Sequence, residues 1–579
     1  MKALRKLVPA LAVVAALAMM APAFGVAGQP IVLDNSPGEG RAGISQTGDI
    51  RHVANIGDDL GWSGSDIEFA SREVVKLSEG ATGDPVCQTD AEGTCLVDEN
   101  GETVFQTEVR DFAIAGGYGQ VAKIIDITDP ENPVHVNSTP CNISQNDIQI
   151  HEDLLLVAAD GNGTCKREDG TNAAFAGTAV LDFSDPRNPT YLSRLQYARG
   201  SHNHTFHPSG DYVYLSDSDV ASAGLGNVPV WDVSDPANPS LVVEFKHLAH
   251  SPHDITFNAD GSRAYVAAVS ATYILNTEDP KAPELISTIA NEGISISHQA
   301  DPTPDGQFLL VTDELGGGAA GVSPGGPVHL YSLADETAPV KLGIIENNCV
   351  QEICHSVAAD GTPISTAHVL RINPDGYTMS IAWYKDGIFV IDYSAMAVGG
   401  NAGPSGETTG LGPRVIAGMR MPGSNAWAAK MWQERHPGYV FVNDISRGFD
   451  IFHVPELTGG FIGTGAIAGG HPASVAAGGI TEHTFSTVGG CAGRPATQGL
   501  DGYAITLPEG SGDGAHEIHV SVKTGQAADL ALFFYDQSCS LMNTTAAGPD
   551  TQVPEGAAHV VINSFTGAGL RFNTYLHSH

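Results

Sequence analysis

Four histidines recur at one position of a repeated hairpin. Counting eight residues back from Gly210, Gly261, Gly306 and Gly376 reaches His202, His253, His298 and His368. Histidine makes up 22 of 579 residues, so composition does not account for the coincidence. In the other repeats the aligned residues are Ser65, Asn146 and Asn425. Imidazole nitrogens are ligands for zinc, iron, copper or manganese. Four of them at one height on a channel wall would form a mononuclear site, and an open position on the ion could polarise a substrate or activate water or oxygen. The strand that follows each histidine runs back to the same face and ends in acids: Asp160, Asp217 and Asp219, Asp313 and Glu314, and Asp444. Such carboxylates can ligate an ion or fix the tautomer of a ligating ring. His250 is a further candidate ligand, with an exposed loop histidine as the plainer account. His204 and His207 flank the column in SHNHTFHPSGDYVYLSD. Strand alternation puts His202 and His204 on the same side, and His207-Pro208 reads as turn chemistry.

The column also admits a structural account. In WD-repeat propellers, a histidine, a Ser or Thr, an aspartate and an aromatic residue form a hydrogen-bond network inside each blade. His202, Ser216, Asp217 and Trp231 follow that order, as do His298, Thr312, Asp313 and Tyr331. Buried polar groups must be paired, and such a network needs no ligand. The two accounts differ in geometry: a metal needs nitrogens converging on one point at ~2.0–2.2 Å, whereas a structural network keeps each ring within its own blade. The oxygen-rich stretches GNGTC (161–165) and DSDVASAGLGN (217–227) have the composition of calcium loops without their full spacing. No Gly-x-Ser-x-Gly elbow and no phosphate-binding glycine loop is present.

The elements that position the column are repeats. VAKIIDITDPENP (121–133), TAVLDFSDPRNP (178–189), VPVWDVSDPANP (228–239), ATYILNTEDPKAP (271–283) and VHLYSLADETAP (328–339) share a β-branched strand followed by a proline-bounded turn. Weaker copies are GIFVIDYS (387–394) and GFDIFHVPEL (448–457), neither of which keeps the Asp-Pro-x-x-Pro turn. Two further strands precede each unit, as in HDITFNADGSRAYVAAV, so the period is that of four-stranded propeller blades. These IxDxSDPxNP units resemble the LVIVD repeat of exported propeller-like proteins, over about residues 50–457. The fold class expected is all-β: a seven-bladed β-propeller followed by a small β-sandwich. HVANIGD (52–58) is expected to close the ring by pairing with the blade that ends near Leu457, since a ring leaves no sheet edge free.

Residues 458–479 read as a glycine-rich linker. The segment 480–579 has its own strand pattern and resembles the bacterial pre-peptidase C-terminal domain, which implies export, attachment or carbohydrate contact and no catalysis. Residues 1–23 have the basic start, apolar run and small-residue exit of a secretory signal peptide. The eight cysteines fall into sequential pairs, Cys87–Cys95, Cys141–Cys165, Cys349–Cys354 and Cys491–Cys539, which in an exported chain reads as four local disulfides. A net charge of −38, with no basic stripe, argues against nucleic acid as a partner.

These features imply a secreted or cell-surface, monomeric binding module whose extracellular ligand, a protein, a glycan or a small molecule, meets a funnel mouth lined by His and acids. No span of the mature chain is expected to cross a membrane. The alternative is a metal-dependent oxidoreductase or hydrolase using the four histidines, with a transition metal as cofactor and calcium as the weaker candidate. A third reading is a purely structural surface protein.

Overall fold

The computed structural model describes residues 45–457 with breaks at 59, 199, 218–225, 291–292, 315–325, 346–364, 375–377 and 394–413, together with strands between 461 and 578. Seven antiparallel sheets follow one another along the chain, each with its first strand innermost. Those inner strands are Gly64–Val75, Ile148–His151, Ser201–Phe206, Asp254–Phe257, Ser297–Pro302, Leu370–Ile372 and Ala426–Met431. The protein is a seven-bladed β-propeller.

The repeated turn explains itself in hydrogen bonds. In each of the second and third blades, the aspartate that ends the third strand accepts from a backbone N–H two residues on. These contacts are Asp182 from Ser184 (2.9 Å) and Asp232 from Ser234 (3.0 Å). The Asp of the Asp-Pro pair then repeats the device, Asp185 accepting from Arg187 (3.0 Å) and Asp235 from Ala237 (3.2 Å). Two successive Asx turns thus reverse the chain, and the proline between them has no N–H to leave unpaired. The inner hairpins turn on glycine: Gly261 has φ +73°, and a β-carbon there would lie 2.4 Å from His207 Nε2.

Between neighbouring blades the inward residues of the strands form separate apolar clusters. Phe112 and Ile114 meet Leu155 and Val157 between the first two blades, and Leu310 and Leu330 meet Met379 and Trp383 between the fifth and sixth. Ile67 and Ile125 meet Phe441 and Phe449 where the last blade returns to the first. Each fully buried Ile or Phe there contributes roughly 1.5–3 kcal/mol.

The ring closes as the sequence implies. Arg51–Ile56 is the outer strand of the seventh blade, with Ala54 opposite Ile451. A buried ion pair locks the seam: Arg447 Nε donates to Asp450 Oδ2 (2.8 Å), and His52 Nε2 lies 2.7 Å from Asp450 Oδ1. Ser45–Thr47 adds a fifth strand to the sixth blade by pairing with Arg414–Arg420. The disulfides Cys87–Cys95 and Cys141–Cys165 are formed; Cys349–Cys354, Cys491–Cys539 and the signal segment lie outside the described residues. The calcium reading of GNGTC is corrected, because 161–165 continues the strand Leu154–Lys166, where Asn162 pairs with Ala176 and Cys165 with Ala173. The other calcium stretch lies mostly outside the described residues.

Beyond the propeller, Phe461–Ile467, inside the stretch read as linker, pairs with Leu570–Ser578. That sheet and a second one, ordered Tyr503–Thr506, His559–Ser564, Leu530–Tyr535 and Leu541–Ala546, are each four-stranded. Among the described residues no helix is long and apolar enough to cross a membrane.

Candidate metal centre

The histidines of four successive blades meet edge to edge. Ring centroids are 4.2 Å apart between His202 and His253, 4.3 Å between His253 and His298, and 4.0 Å between His298 and His368. Trp427 of the seventh blade continues the series, 4.3 Å from His368. What brings them together is a bulge at the head of the inner strand. In the third blade Ser201 pairs with Asp217 and His204 with Leu215, and in the fifth Ser297 pairs with Asp313 and Ala300 with Val311. The extra residue turns His202 and His298 toward the axis.

The bulge corrects two expectations. His204 does not share a side with His202: it is buried between blades, with Nδ1 3.4 Å from Thr178 Oγ1. In the seventh blade the register shift lies between Ala426 and Ala428, so Trp427 and not Asn425 occupies the slot. His207 belongs to the turns, as expected, with Nδ1 2.9 Å from Ser209 Oγ and Nε2 3.0 Å from Gly261 O of the next blade.

Among the described residues, the bonds of His253 and His368 run between blades and not within one. His253 Nδ1 lies 3.0 Å from the His298 carbonyl, and His368 Nδ1 lies 2.7 Å from the Trp427 carbonyl, in each case a bond to the next blade. His202 Nδ1 faces Asp160 of the preceding blade at 3.6 Å. Ser216 Oγ and Trp231 Nε1 are buried without a hydrogen-bond partner. Thr312 Oγ1 accepts from the Gln299 backbone, and Asp313 Oδ1 accepts from the N–H groups of Ser295 and Ile296. A carbonyl partner requires Nδ1 to carry the proton, which leaves Nε2 of His253 and His368 as the lone-pair nitrogen a metal needs.

The surroundings keep most of these rings neutral. Burial, reinforced by the neighbouring imidazoles, holds His253 and His298 well below the usual histidine range. Burial likewise brings His368 to about 3. His202 differs: burial opposes its charge, but Asp160, Glu314 and Asp254 outweigh it and raise its pKa. Neutral imidazole is the ligating form.

Of the rim acids, Glu314 joins the centre. One donor atom each from His253, His298 and Glu314 lie within 4.8 Å of one another, the one such group of three found among the described residues. A tetrahedral ion with ~2.1 Å bonds needs ligands ~3.4 Å apart, so the group must draw in by an ångström or so. Tyr384, a residue that sequence reasoning missed, donates its hydroxyl to Glu314 Oε1 (2.8 Å) and packs 4.7 Å from the His368 ring. Asp313 and Asp444 instead cap backbone; Asp444 accepts from Asn425 N–H at 2.7 Å, and burial pushes its carboxyl to about 6. His250 is not part of that group; its Nδ1 lies 2.6 Å from the Tyr273 hydroxyl. The Asp217 side chain and Asp219 lie outside the described residues.

Next to the histidines the channel widens into a cavity of about 220 Å³, lined by His202, His298 and Trp427. Its wall also holds five carboxyls, Asp66, Glu68, Asp147, Asp254 and Asp301. Lys430 Nζ reaches Asp66 (2.8 Å) and Glu68 (2.9 Å), and Arg371 Nη2 reaches Glu68 at 2.6 Å. Burial would raise Glu68, but Arg371 and Lys430 overcome it and hold the carboxyl at about 2. Burial and then Asp254 push Asp301 to about 6. The signal for this layer was visible without being read: an acid directly follows the slot residue in Ser65-Asp66, Asn146-Asp147 and His253-Asp254.

Compared by sequence, the chain matches no family model and no curated protein. By structure it is similar to the Cps50 (Swd1) β-propeller domain of Myceliophteria thermophila, with 11% identity, TM-score 0.40, and coverage of 59% of this chain and 93% of that one. A protein from Lactobacillus plantarum matches at 14% identity and TM-score 0.40, over 58% of this chain and 84% of its own. A hypothetical selenium-binding protein from Sulfolobus tokodaii matches at 14% identity and TM-score 0.36, over 54% and 77%. The likeness is one of fold.

Proposed function

We propose that this is an exported metal-binding propeller, which holds one transition-metal ion between His253, His298 and Glu314, with His202 and His368 flanking them in the arc, and presents it to a small ligand in the adjoining cavity. The observation that supports this reading is the unbroken succession of ring contacts at 4.0–4.3 Å through four blades. The Nδ1 bonds of His253 and His368 run to the backbone of the next blade, which leaves their Nε2 atoms unspent. A soft-to-borderline nitrogen set with one carboxylate suits zinc, copper or iron better than calcium. Bound there, the ion would act as a Lewis acid toward a ligand that enters beside His202 and His298. Tyr384 would orient Glu314, and Asp160 would hold the proton of His202.

Export is supported by the signal-like start and by the two disulfides. The IxDxSDPxNP units agree with an LVIVD-repeat protein, and the C-terminal strands with an attachment module of pre-peptidase C-terminal type. The test is elemental analysis of protein purified from an exporting host, before and after zinc, copper or iron reconstitution. One ion per chain is expected, absent from the His253→Ala/His298→Ala variant at an unchanged melting temperature. Wild-type protein that takes up no ion from any of the three, or a variant that retains it, overturns the reading.

A further inference from the structure

The channel cavity beside the histidines is built for a charge that the protein does not supply. Its five carboxyls face two cations, and both cations are already committed to Asp66 and Glu68. Asp147, Asp254 and Asp301 have no Lys or Arg within 4.0 Å among the described residues. Their partners are neutral donors: the His204 N–H for Asp147 (3.2 Å), the Ile255 N–H for Asp254 (2.8 Å), and Thr256 Oγ1 (2.7 Å) with Gln299 Nε2 (3.0 Å) for Asp301. His204 Nδ1, 3.9 Å from Asp147, lies closer to Thr178 Oγ1, at 3.4 Å. A second observation is independent of the acids. Asn146 lines the same cavity, is 1% exposed, and keeps its Oδ1 without a hydrogen-bond partner. A buried amide oxygen left unpaired is destabilising, and a ligand N–H would satisfy it.

We infer that the cavity binds a small organic cation, an alkyl ammonium or diamine, with its N–H groups directed to Asp147, Asp254, Asp301 and the Asn146 amide oxygen. A bare divalent ion fits less well. Among the described residues no three of these carboxylates come within 4.8 Å of one another, so they cannot converge on one point. A volume of about 220 Å³ would leave a single ion surrounded mostly by water, whereas a chain of several atoms with a donor at each end spans the separated carboxylates. Because His202 and His298 border both the cavity and the histidine arc, the cation would lie against the proposed metal. The role of the cation as substrate rests on the metal reading; its binding does not.

Calorimetry on the full chain decides the matter, with 1,4-diaminobutane as probe and 1,4-butanediol and calcium chloride as controls. The diamine is expected to bind saturably and the two controls not at all. Asp147→Asn and Asp301→Asn, which keep the shape and the neutral hydrogen bonds, should each weaken the diamine at least tenfold. Their melting temperatures should not fall. Equal binding of the diol, saturable calcium uptake lost in the same variants, or unchanged diamine affinity in both variants overturns the inference. Zinc titration of the same preparations keeps the two ideas apart: zinc bound with no diamine sinks the cation site alone, and diamine bound with no zinc sinks the metal centre alone.

Discussion

Two arcs of the same ring use one backbone position in opposite ways. In blades three to six the slot holds histidine: His253 and His368 bond to the next blade's backbone, and His202 Nδ1 faces Asp160 at 3.6 Å. In blades one and two it holds Ser65 and Asn146, and Ser65 Oγ donates to the Asn146 carbonyl at 2.6 Å. In the seventh blade Asn443 Nδ2 reaches across to the carbonyls of Asp66 (3.1 Å) and Gly116 (2.8 Å). Beside it, Lys430 ties that blade to Asp66 and Glu68 of the first. One arc spends its polar groups on joining the last blade to the first. The other is fastened by its apolar clusters and leaves nitrogens facing the axis. Closure of the ring demands fastening at the seam, so the seam cannot also hold the ligands.

The largest expected effect falls on the seam. Lys430→Met leaves Asp66 buried without a cation and Glu68 with Arg371 alone, and should cost about 3–5 kcal/mol, measured as a lower urea midpoint at pH 7, while zinc affinity stays unchanged. Wild-type stability in this variant would mean that the ion pairs do not fasten the arc. Next, His253→Ala/His298→Ala should lower zinc affinity at least ~100-fold, about 2.7 kcal/mol, with little loss of stability. A matched Ser65→Ala change should leave zinc untouched, and any parallel loss there would erase the contrast between the arcs.

A buried histidine off the channel provides a smaller control. Burial, with Lys341 adding to it, brings His329 to about 3, and both of its ring nitrogens lack hydrogen-bond partners. Its unfolded value is near 6.5, so below that pH the unfolded chain takes up a proton that the folded one does not. Stability is complete above pH 6.5 and falls as pH drops toward 3. At pH 5 the loss is about 2 kcal/mol. His329→Leu should shrink the difference between urea melts at pH 7 and pH 5 by that amount without affecting zinc; an unchanged difference would refute the assignment. The smallest effect is Asp160→Asn, which should weaken zinc about tenfold through the orientation of His202. Retained affinity, measured in the same titration, would remove Asp160 from the site.

Much of the fold was legible because its signals are local. The Asp-Pro-x-x-Pro turns of the first four repeats, and Asp-Glu-Thr-Ala-Pro in the fifth, mark blade boundaries through hydrogen bonds spanning two residues. The closing strand was legible from the need to cover a sheet edge, and Arg51–Ile56 meets it. The histidine column was readable as a count from a turn glycine. The same count failed at Asn425, where the seventh blade lacks the usual turn and Trp427 takes the slot. It also misjudged His204, because a bulge shifts alternation by one residue and leaves no mark in composition.

The sequence by itself determined the repeat, the number of blades, the closing strand and the identity of the four column histidines, since each follows from short-range chemistry repeated along the chain. The tertiary structure alone decided that neighbouring imidazoles stand 4.0–4.3 Å apart, that Glu314 comes within 4.8 Å of His253 and His298, and that five carboxyls share one cavity with two cations. The physical reason is that these contacts join residues 45 to 364 positions apart, as from His253 to His298 and from Asp66 to Lys430, and form when the ring closes around its axis.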